Sequence, residues 1–424
     1  MATAEPEATG VVNLADEEAV RDPFAFYSRL REEGPLFRAE LPDVEPFWIV
    51  TRYDDVKLVL GDPRFVVNLA SIPGMAGKRD RMEQLQLGRG IPPELLKYPR
   101  ASMAAADGAD HLRLRRLTGQ SFTVRRVAGW RPRIEQITER HLDRLAEVAA
   151  ADGVVDLFAH FANPMPLTVI YELIGIPDED RPRFLATIWE WTIGGGEFGK
   201  VTRRPRLESG LQDTRRLIER RRAEPADDLI TDLVHAQDAD GERISDTELV
   251  WLILTLVIAG HETTASLIAN GVVALLTHPD QLDLLRRDPA LMPRAVNELV
   301  RWCGPAVTAP HRYATEDVEI GGTRVPKGEG VMVILAGANR DPRAFEDPER
   351  LDITREPARN EPHLGFGHGL HYCLGAALGR LEAEVAFGAL LRRFPDLALA
   401  VDPEGLTRAR SAGMWKLLSL PVTI

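Results

Sequence analysis

From Ser245 to Pro279 the chain reads SDTELVWLILTLVIAGHETTASLIANGVVALLTHP, and this stretch constrains the fold more than any other. Ser245 followed by Glu248 is a capping-box signature for a helix start, and His278-Pro279 is a stop. A helix over 245–277 is unusually long for a globular protein. It is apolar on nearly every side, so it belongs at the centre with other elements wrapped around it. Its longest apolar run, LVWLILTLVIAG at 249–260, falls short of a membrane span and meets His261 and Glu262. That predicts a buried helix and no membrane. Polar groups inside such a helix need partners, because burying them bare is costly. The Thr263 hydroxyl can bond the Ala259 carbonyl one turn back and loosen the ladder there, and Gly260 leaves room beside it. The product is a groove with a hydroxyl and a carboxylate, suited to ordered water and proton delivery.

Around that helix the pattern is mainly α with a smaller β region. PLFRAEL and FWIVTRY are β-prone runs separated by Pro and Asp and predict a hairpin. Residues 66–108 show Gly and Pro punctuation without a sustained period, the mark of a functional or mobile loop. Helical spacing dominates from His111 to about Leu276, through RPRIEQITERHLDRLAEV and DRPRFLATIWEWTI. Gly194-Gly195-Gly196 interrupts it, as a hinge for a helical flap or as a surface turn. PDQLDLLRRD and PALMPRAVNELVRW follow as helices, 307–335 as strands, and ALGRLEAEVAFGALLRRF as a last amphipathic helix. No composition break divides residues 13–424, which are expected to form one domain after a loose 1–12.

A net charge of −12 gives none of the basic footprint of a general nucleic-acid binder. Two distant cysteines cannot build a disulfide framework and suit a reducing compartment. The opening MATAEPEATGVVNLADEEAV has no basic segment followed by an apolar one, so no leader is expected. A cytoplasmic monomer is the expectation.

One cysteine sits in HLGFGHGLHYCLGAALGR, residues 363–380. A lone cysteine is by default a small buried hydrophobe. Here Gly367, Gly369 and Gly375 flank Cys373, and glycine supplies positive φ or close approach of the backbone to a ligand. A helix beginning at Leu374 puts Cys373 at a helix N-terminus, where free N–H groups favour a thiolate. Such a group is a soft metal ligand or a nucleophile. The run Phe366-Gly367-His368-Gly369-Leu370-His371-Tyr372-Cys373-Leu374-Gly375 resembles the haem-binding loop of the cytochrome P-450 family, F-G-x-G-x-H-x-C-x-G. The resemblance implies haem b as cofactor and Cys373 as its metal ligand, the thiolate pushing electron density toward O–O cleavage. It lays Phe366, Gly367 and Gly375 against the macrocycle and has His371 donate to a propionate.

Further motifs follow in the family's order. Ala259-Gly260-His261-Glu262-Thr263-Thr264 is similar to A/G-G-x-D/E-T-T. By that resemblance Ala259 and Gly260 border the haem, Thr263 steadies dioxygen, and Glu262 feeds protons as a general-acid relay. Glu298 and Arg301 in NELVRW stand one turn apart. They resemble the family's E-x-x-R ion pair, which also ties down ANRDPRAFEDPERLDITR and serves folding and haem retention. His111 and Arg115 in HLRLRRL share one helix face and resemble the propionate-binding H-x-x-x-R pair, with Ala109-Asp110 in place of the usual Pro-Glu. Arg312 in HRYATEDVEI matches the strand arginine at the second propionate. Arg113, Arg116, Arg125 and Arg126 form either a solvated face or the surface that steers an acidic ferredoxin.

The resemblance implies a triangular fold with haem between the central helix and the Cys373 helix. It implies insertion of one atom of O2 into a hydrophobic substrate, by hydroxylation or epoxidation. Electrons would come from NAD(P)H through a ferredoxin and a ferredoxin reductase. HLGFGHGLHYCLG and AGHETT are similar to actinobacterial members that tailor polyketides, macrolides or peptides, free or carrier-bound. Substrate walls are expected from 66–108, Trp189–Phe198, Ala306–Ala309 and Met414-Trp415. The alternatives are a peroxide-driven oxidase, a non-catalytic docking module, and a haem-free zinc site drawn from His363, His368, His371 and Cys373.

Overall fold

A computed structural model describes residues 11–42, 44–192, 204–237, 241–356 and 363–424. Six strands, β1 (Val11–Asn13), β2 (Leu36–Leu41), β3 (Val44–Val50), β4 (Phe65–Val66), β5 (Arg312–Ala314) and β6 (Gly330–Val333), form a sheet in the order β1-β2-β3-β6-β5-β4. β2 and β3 are the hairpin read from PLFRAEL and FWIVTRY, with Leu36 opposite Val50. Val11 and Val12 do not belong to a loose terminus. They pair in parallel with Arg38 and Ala39 of β2, and main-chain ladder bonds outweigh the local composition.

The helices that position the site are α1 (Tyr53–Gly61), α2 (Gly108–Gly119), α3 (Arg131–Asp152), α4 (Pro164–Ile174), α5 (Arg181–Thr192), α6 (Arg204–Ala223), α7 (Asp246–Thr277), α8 (Met292–Cys303) and α9 (Ala376–Arg393). α7 is the predicted central helix, 32 residues and thus about 48 Å long. Its capping box is formed: Ser245 Oγ accepts from Glu248 N, and Glu248 Oε2 accepts from Ser245 N at 2.8 Å. α4, α6, α8 and α9 pack around it, and the largest apolar core runs through all five. Among the described residues α7 is also the one helix long and apolar enough to cross a membrane. Here that apolarity faces neighbouring helices, so the core explains it. The room expected beside Gly260 is taken by α4: a Cβ there would stand 2.9 Å from Ile170 Cδ1.

Two other expectations change. Residues 66–108 are not a bare loop. They fold as short turns of helix, including Arg81–Gly88, Pro93–Leu95, Lys97–Arg100 and Met103–Ala105. α9 begins at Ala376, not Leu374, because Gly375 (φ −85°, ψ 9°) caps the helix and lies outside it.

Candidate active site

The segment leading to Cys373 is braced from α8 and from the stretch after β6. His363 is buried; its Nδ1 accepts from Gly365 N at 3.1 Å, so its Nε2–H donates to Asn297 Oδ1 at 2.9 Å. Asn339 Oδ1 accepts from Leu364 N at 2.6 Å, and Cys373 N donates to Phe366 O at 2.9 Å, closing the loop. Two glycines have opposite reasons. Gly369 has φ +69°, and a Cβ there would lie 2.7 Å from the Leu60 carbonyl oxygen of α1, so only glycine fits. At Gly375 a Cβ would meet no protein atom within 4 Å, although the residue lines a cavity of about 370 Å³.

Cys373 opens onto that cavity. Burial pushes its thiol up, with the Gly375 N–H, Arg115 and Arg380 opposing. The expected thiolate is therefore not produced by the helix N-terminus alone. α9 starts too late, and desolvation outweighs its pull.

A smaller cavity of about 170 Å³ adjoins the first, sharing Met103, Gly367 and His371 with it. His111 and Arg115 of α2, Arg312 of β5 and His371 line it, and no described carboxylate does. The two imidazole rings lie 4.4 Å apart. His111 Nδ1 and His371 Nε2 are buried without a hydrogen-bond partner. Burial, reinforced by neighbouring cations, lowers both, His371 to about 3. Burial also brings Arg312 down to about 10. Two guanidiniums and two neutral imidazoles, each with an unused nitrogen, form a receptor for carboxylates.

The polar turn of α7 meets the large cavity on one face. Thr263 Oγ1 donates to Ala259 O at 2.7 Å, as the spacing predicts, and Ala259, Gly260 and Thr263 line the cavity. His261 turns to Asn163 Oδ1 at 2.9 Å, and burial takes it down to about 4. Of the twelve residues that the resemblance assigns to haem contact or to the oxygen chemistry, Glu262 alone lines neither cavity. Its carboxylate pairs with Lys416 Nζ at 2.6 Å. Among the described residues no three His, Cys, Asp or Glu side chains converge on a metal-binding point, which removes the zinc alternative.

The sequence profile described as Cytochrome P450 matches residues 208–404. Cytochrome P450 107B1 of Saccharopolyspora erythraea is 42% identical over 407 residues, covering 96% of each chain. The chain belongs to the cytochrome P450 family. The 6-deoxyerythronolide B hydroxylase of the same organism is 39% identical, over 98% of this P450 and 99% of that chain. The solved structure of PksS, the P450 of a Bacillus subtilis bacillaene polyketide synthase, superposes with a TM-score of 0.85 at 37% identity, over 97% and 98% of the two chains. The fold is the P450 fold, and the protein is a P450 monooxygenase, an oxidoreductase that uses haem iron and dioxygen.

The residues of this P450 fit haem on three independent grounds. Cys373 presents a soft sulfur donor, Gly375 leaves a side-chain-sized space over the loop, and the smaller cavity offers unused donors for two carboxylates. The E-x-x-R pair acts as a clamp beneath this site. Arg301 binds Glu298 through two contacts of 2.7 and 2.8 Å, both side chains 2% exposed. It also donates to the carbonyls of Asn339, Pro348 and Arg350, while Glu298 accepts from Asp352 N at 3.0 Å.

Of the expected substrate walls, the 66–108 segment contributes Ala101–Ala104, and Ala306, Thr308 and Ala309 also line the cavity. Met414 and Trp415 do not; Trp415 packs edge-on against Phe24 and lies under Arg408. Side chains of the Trp189–Phe198 flap and the glycines at 194–196 lie outside the described residues. Phe122, Ile170, Trp251 and Leu252 complete an apolar wall that the sequence did not single out. Glu382 was also missed. It lines the cavity from α9, is 1% exposed, and neither oxygen has a hydrogen-bond partner. Burial holds its carboxyl well above the ordinary range, opposed by the Thr264 hydroxyl, which is near but outside hydrogen-bond geometry. The glutamate nine residues past the cysteine was visible in the sequence, but its orphaned state was not. Two of the four arginines in the basic cluster are paired, Arg113 with Glu248 and Arg126 with Asp232.

Proposed function

We propose that this P450 hydroxylates or epoxidises a bulky apolar natural product of the polyketide type. Its electrons come from NAD(P)H through a ferredoxin and its reductase, in the cytoplasm. The observation that carries the site assignment is Cys373, whose sulfur opens onto a large apolar cavity on a glycine-shaped loop. Residues 11–424, with β1 included, act as one domain. The polyketide reading rests on that apolar lining and on the printed names of the relatives.

Cys373 would be the iron ligand and would give up its proton to ligation, a loss that burial alone resists. His111, Arg115, Arg312 and His371 hold the propionates. Phe366, Gly367, Gly375, Ala259 and Gly260 border the macrocycle. Bound there, haem supplies the electron-transfer and dioxygen chemistry. The chain's own groups do the rest. Phe122, Ile170, Trp251 and Leu252 exclude water and seat the substrate by apolar contact. Thr263 spends its hydrogen on Ala259 O, which leaves its oxygen free to accept a proton from the Glu262 side.

The test is the carbon-monoxide difference spectrum of the reduced protein, for wild type and Cys373→Ser. A thiolate-type spectrum lost in C373S is expected. Protein that purifies without pigment, or a spectrum unchanged in the variant, overturns the reading. Turnover with ferredoxin and reductase, compared with peroxide, decides the electron route. Screening polyketides for a substrate-induced spin-state shift tests the substrate class.

A further inference from the structure

The proton relay has a partner on a distant segment. Lys416 lies 154 residues from Glu262, yet its Nζ sits 2.6 Å from Glu262 Oε1. The side chains are 14% and 24% exposed, so the pair is only partly open to water. Lys416 is held by its backbone. Its carbonyl accepts from Ala409 N at 2.9 Å, and Arg408 bridges Leu417 across the same turn. The preceding residue is anchored at both main-chain atoms: Trp415 N donates to Pro305 O at 2.8 Å, and Asn270 of α7 donates to Trp415 O at 2.9 Å. Arg408 then stacks 3.5 Å over the Trp415 ring and donates to Asn270 Oδ1 at 3.0 Å. The main chain that carries Lys416 is thus fixed to α7. The neighbouring polar groups are already engaged, His261 with Asn163 and Ser266 with the Glu262 carbonyl.

We propose that Lys416 is the positioning residue of proton delivery: it parks the Glu262 carboxylate outside the cavity, and each proton delivered requires that carboxylate to leave Lys416 and turn toward Thr263. The proposal rests on the relay reading of Glu262 and Thr263. Each turnover takes up one O2, two electrons from the ferredoxin and two protons, and releases oxygenated substrate and one water. In each delivery Glu262 takes a proton from solvent and gives it to the Thr263 oxygen. Thr263, its own hydrogen staying on Ala259 O, hands that proton on into the cavity. Lys416 keeps its three ammonium protons throughout.

The test uses the haem-loaded protein with its ferredoxin system and compares Lys416→Met, Lys416→Arg, Glu262→Gln and the K416M/E262Q double variant. Freed from its parking partner, Glu262 reaches Thr263 more often. K416M is therefore expected to speed the proton-limited step about fivefold, about 1 kcal/mol, the scale of a partly exposed ion pair. Its solvent isotope effect falls toward one, and K416R restores the wild-type value. In the E262Q background K416M is silent. Urea unfolding of the resting loaded protein provides a readout independent of turnover: the single variants' losses exceed additivity because both break one contact. A K416M variant slowed like E262Q, or one with an unchanged isotope effect, overturns the positioning role alone. E262Q with wild-type isotope effect and coupling overturns the relay reading as well, while the unfolding cycle still reports the ion pair.

Discussion

Replacing Gly375 by alanine tests whether the Cys373 loop is shaped for a flat ligand or merely for its own packing. At φ −85°, ψ 9° alanine is sterically accessible, and its Cβ would meet no protein atom within 4 Å. Alanine is a poorer helix cap than glycine by some tenths of a kcal/mol. It recovers about 0.4–1 kcal/mol by restricting the unfolded chain. Folding stability should therefore shift by no more than about 0.5 kcal/mol. The methyl instead meets whatever the cavity holds. Overpacking costs about 1–3 kcal/mol, so haem should leave the variant about 5- to 150-fold faster. Gly369→Ala is the control of opposite sense. With φ +69° and the Leu60 oxygen 2.7 Å from the new Cβ, it must move backbone. A loss of about 2–4 kcal/mol is expected. Spread over an unfolding entropy of about 0.9 kcal/mol/K for 424 residues, that lowers Tm by about 2–4 °C. Haem transfer to excess apomyoglobin reads the first effect, and thermal and urea unfolding read the second. A G375A protein that keeps haem as wild type does, or that loses as much fold stability as G369A, refutes the reasoning.

Arg301→Met leaves the buried Glu298 with Arg355, 3.3 Å away, as its remaining cation and strips three carbonyls of their donor, so a loss of about 3–5 kcal/mol in urea unfolding is expected; a loss under about 1 kcal/mol would show the clamp to be dispensable. Glu382→Gln tests the orphaned carboxyl. Its raised value means the folded protein holds a proton that the unfolded chain releases. Wild-type stability from this group is complete below the unfolded value of about 4.3 and falls as pH rises toward the folded one. The Gln variant has no such slope, so its Tm should exceed wild type's at pH 8, with the gap closing near pH 4. Parallel Tm–pH curves would mean that Glu382 is paired in solution.

The features readable in the sequence are those whose partners lie close along the chain. The Ser245–Glu248 box and the Thr263–Ala259 bond join residues three and four positions apart, and the β2–β3 hairpin joins residues at most fourteen apart, so spacing alone identifies them. The glycine loop around Cys373 was legible for the same reason, because its geometry is set within ten residues. Spacing misleads where neighbours compete or the partner is distant. Leu374 reads as the start of α9 although Gly375 leaves the helical region, and Val11 reads as loose because its partner strand is not adjacent in sequence.

Periodicity tells which face of a helix is apolar, and so it determined that α7 is central and that the fold is mainly helical. It does not tell which side chain arrives from across the molecule. Lys416 on Glu262, His111 against His371, Glu248 claiming Arg113, and Glu382 left without a partner were decided only when distant segments were brought together. The physical reason is range: caps, turns and amphipathic faces are settled by bonds spanning one or two turns. The pairings just named join residues more than a hundred positions apart, and their energies exist only in the packed state.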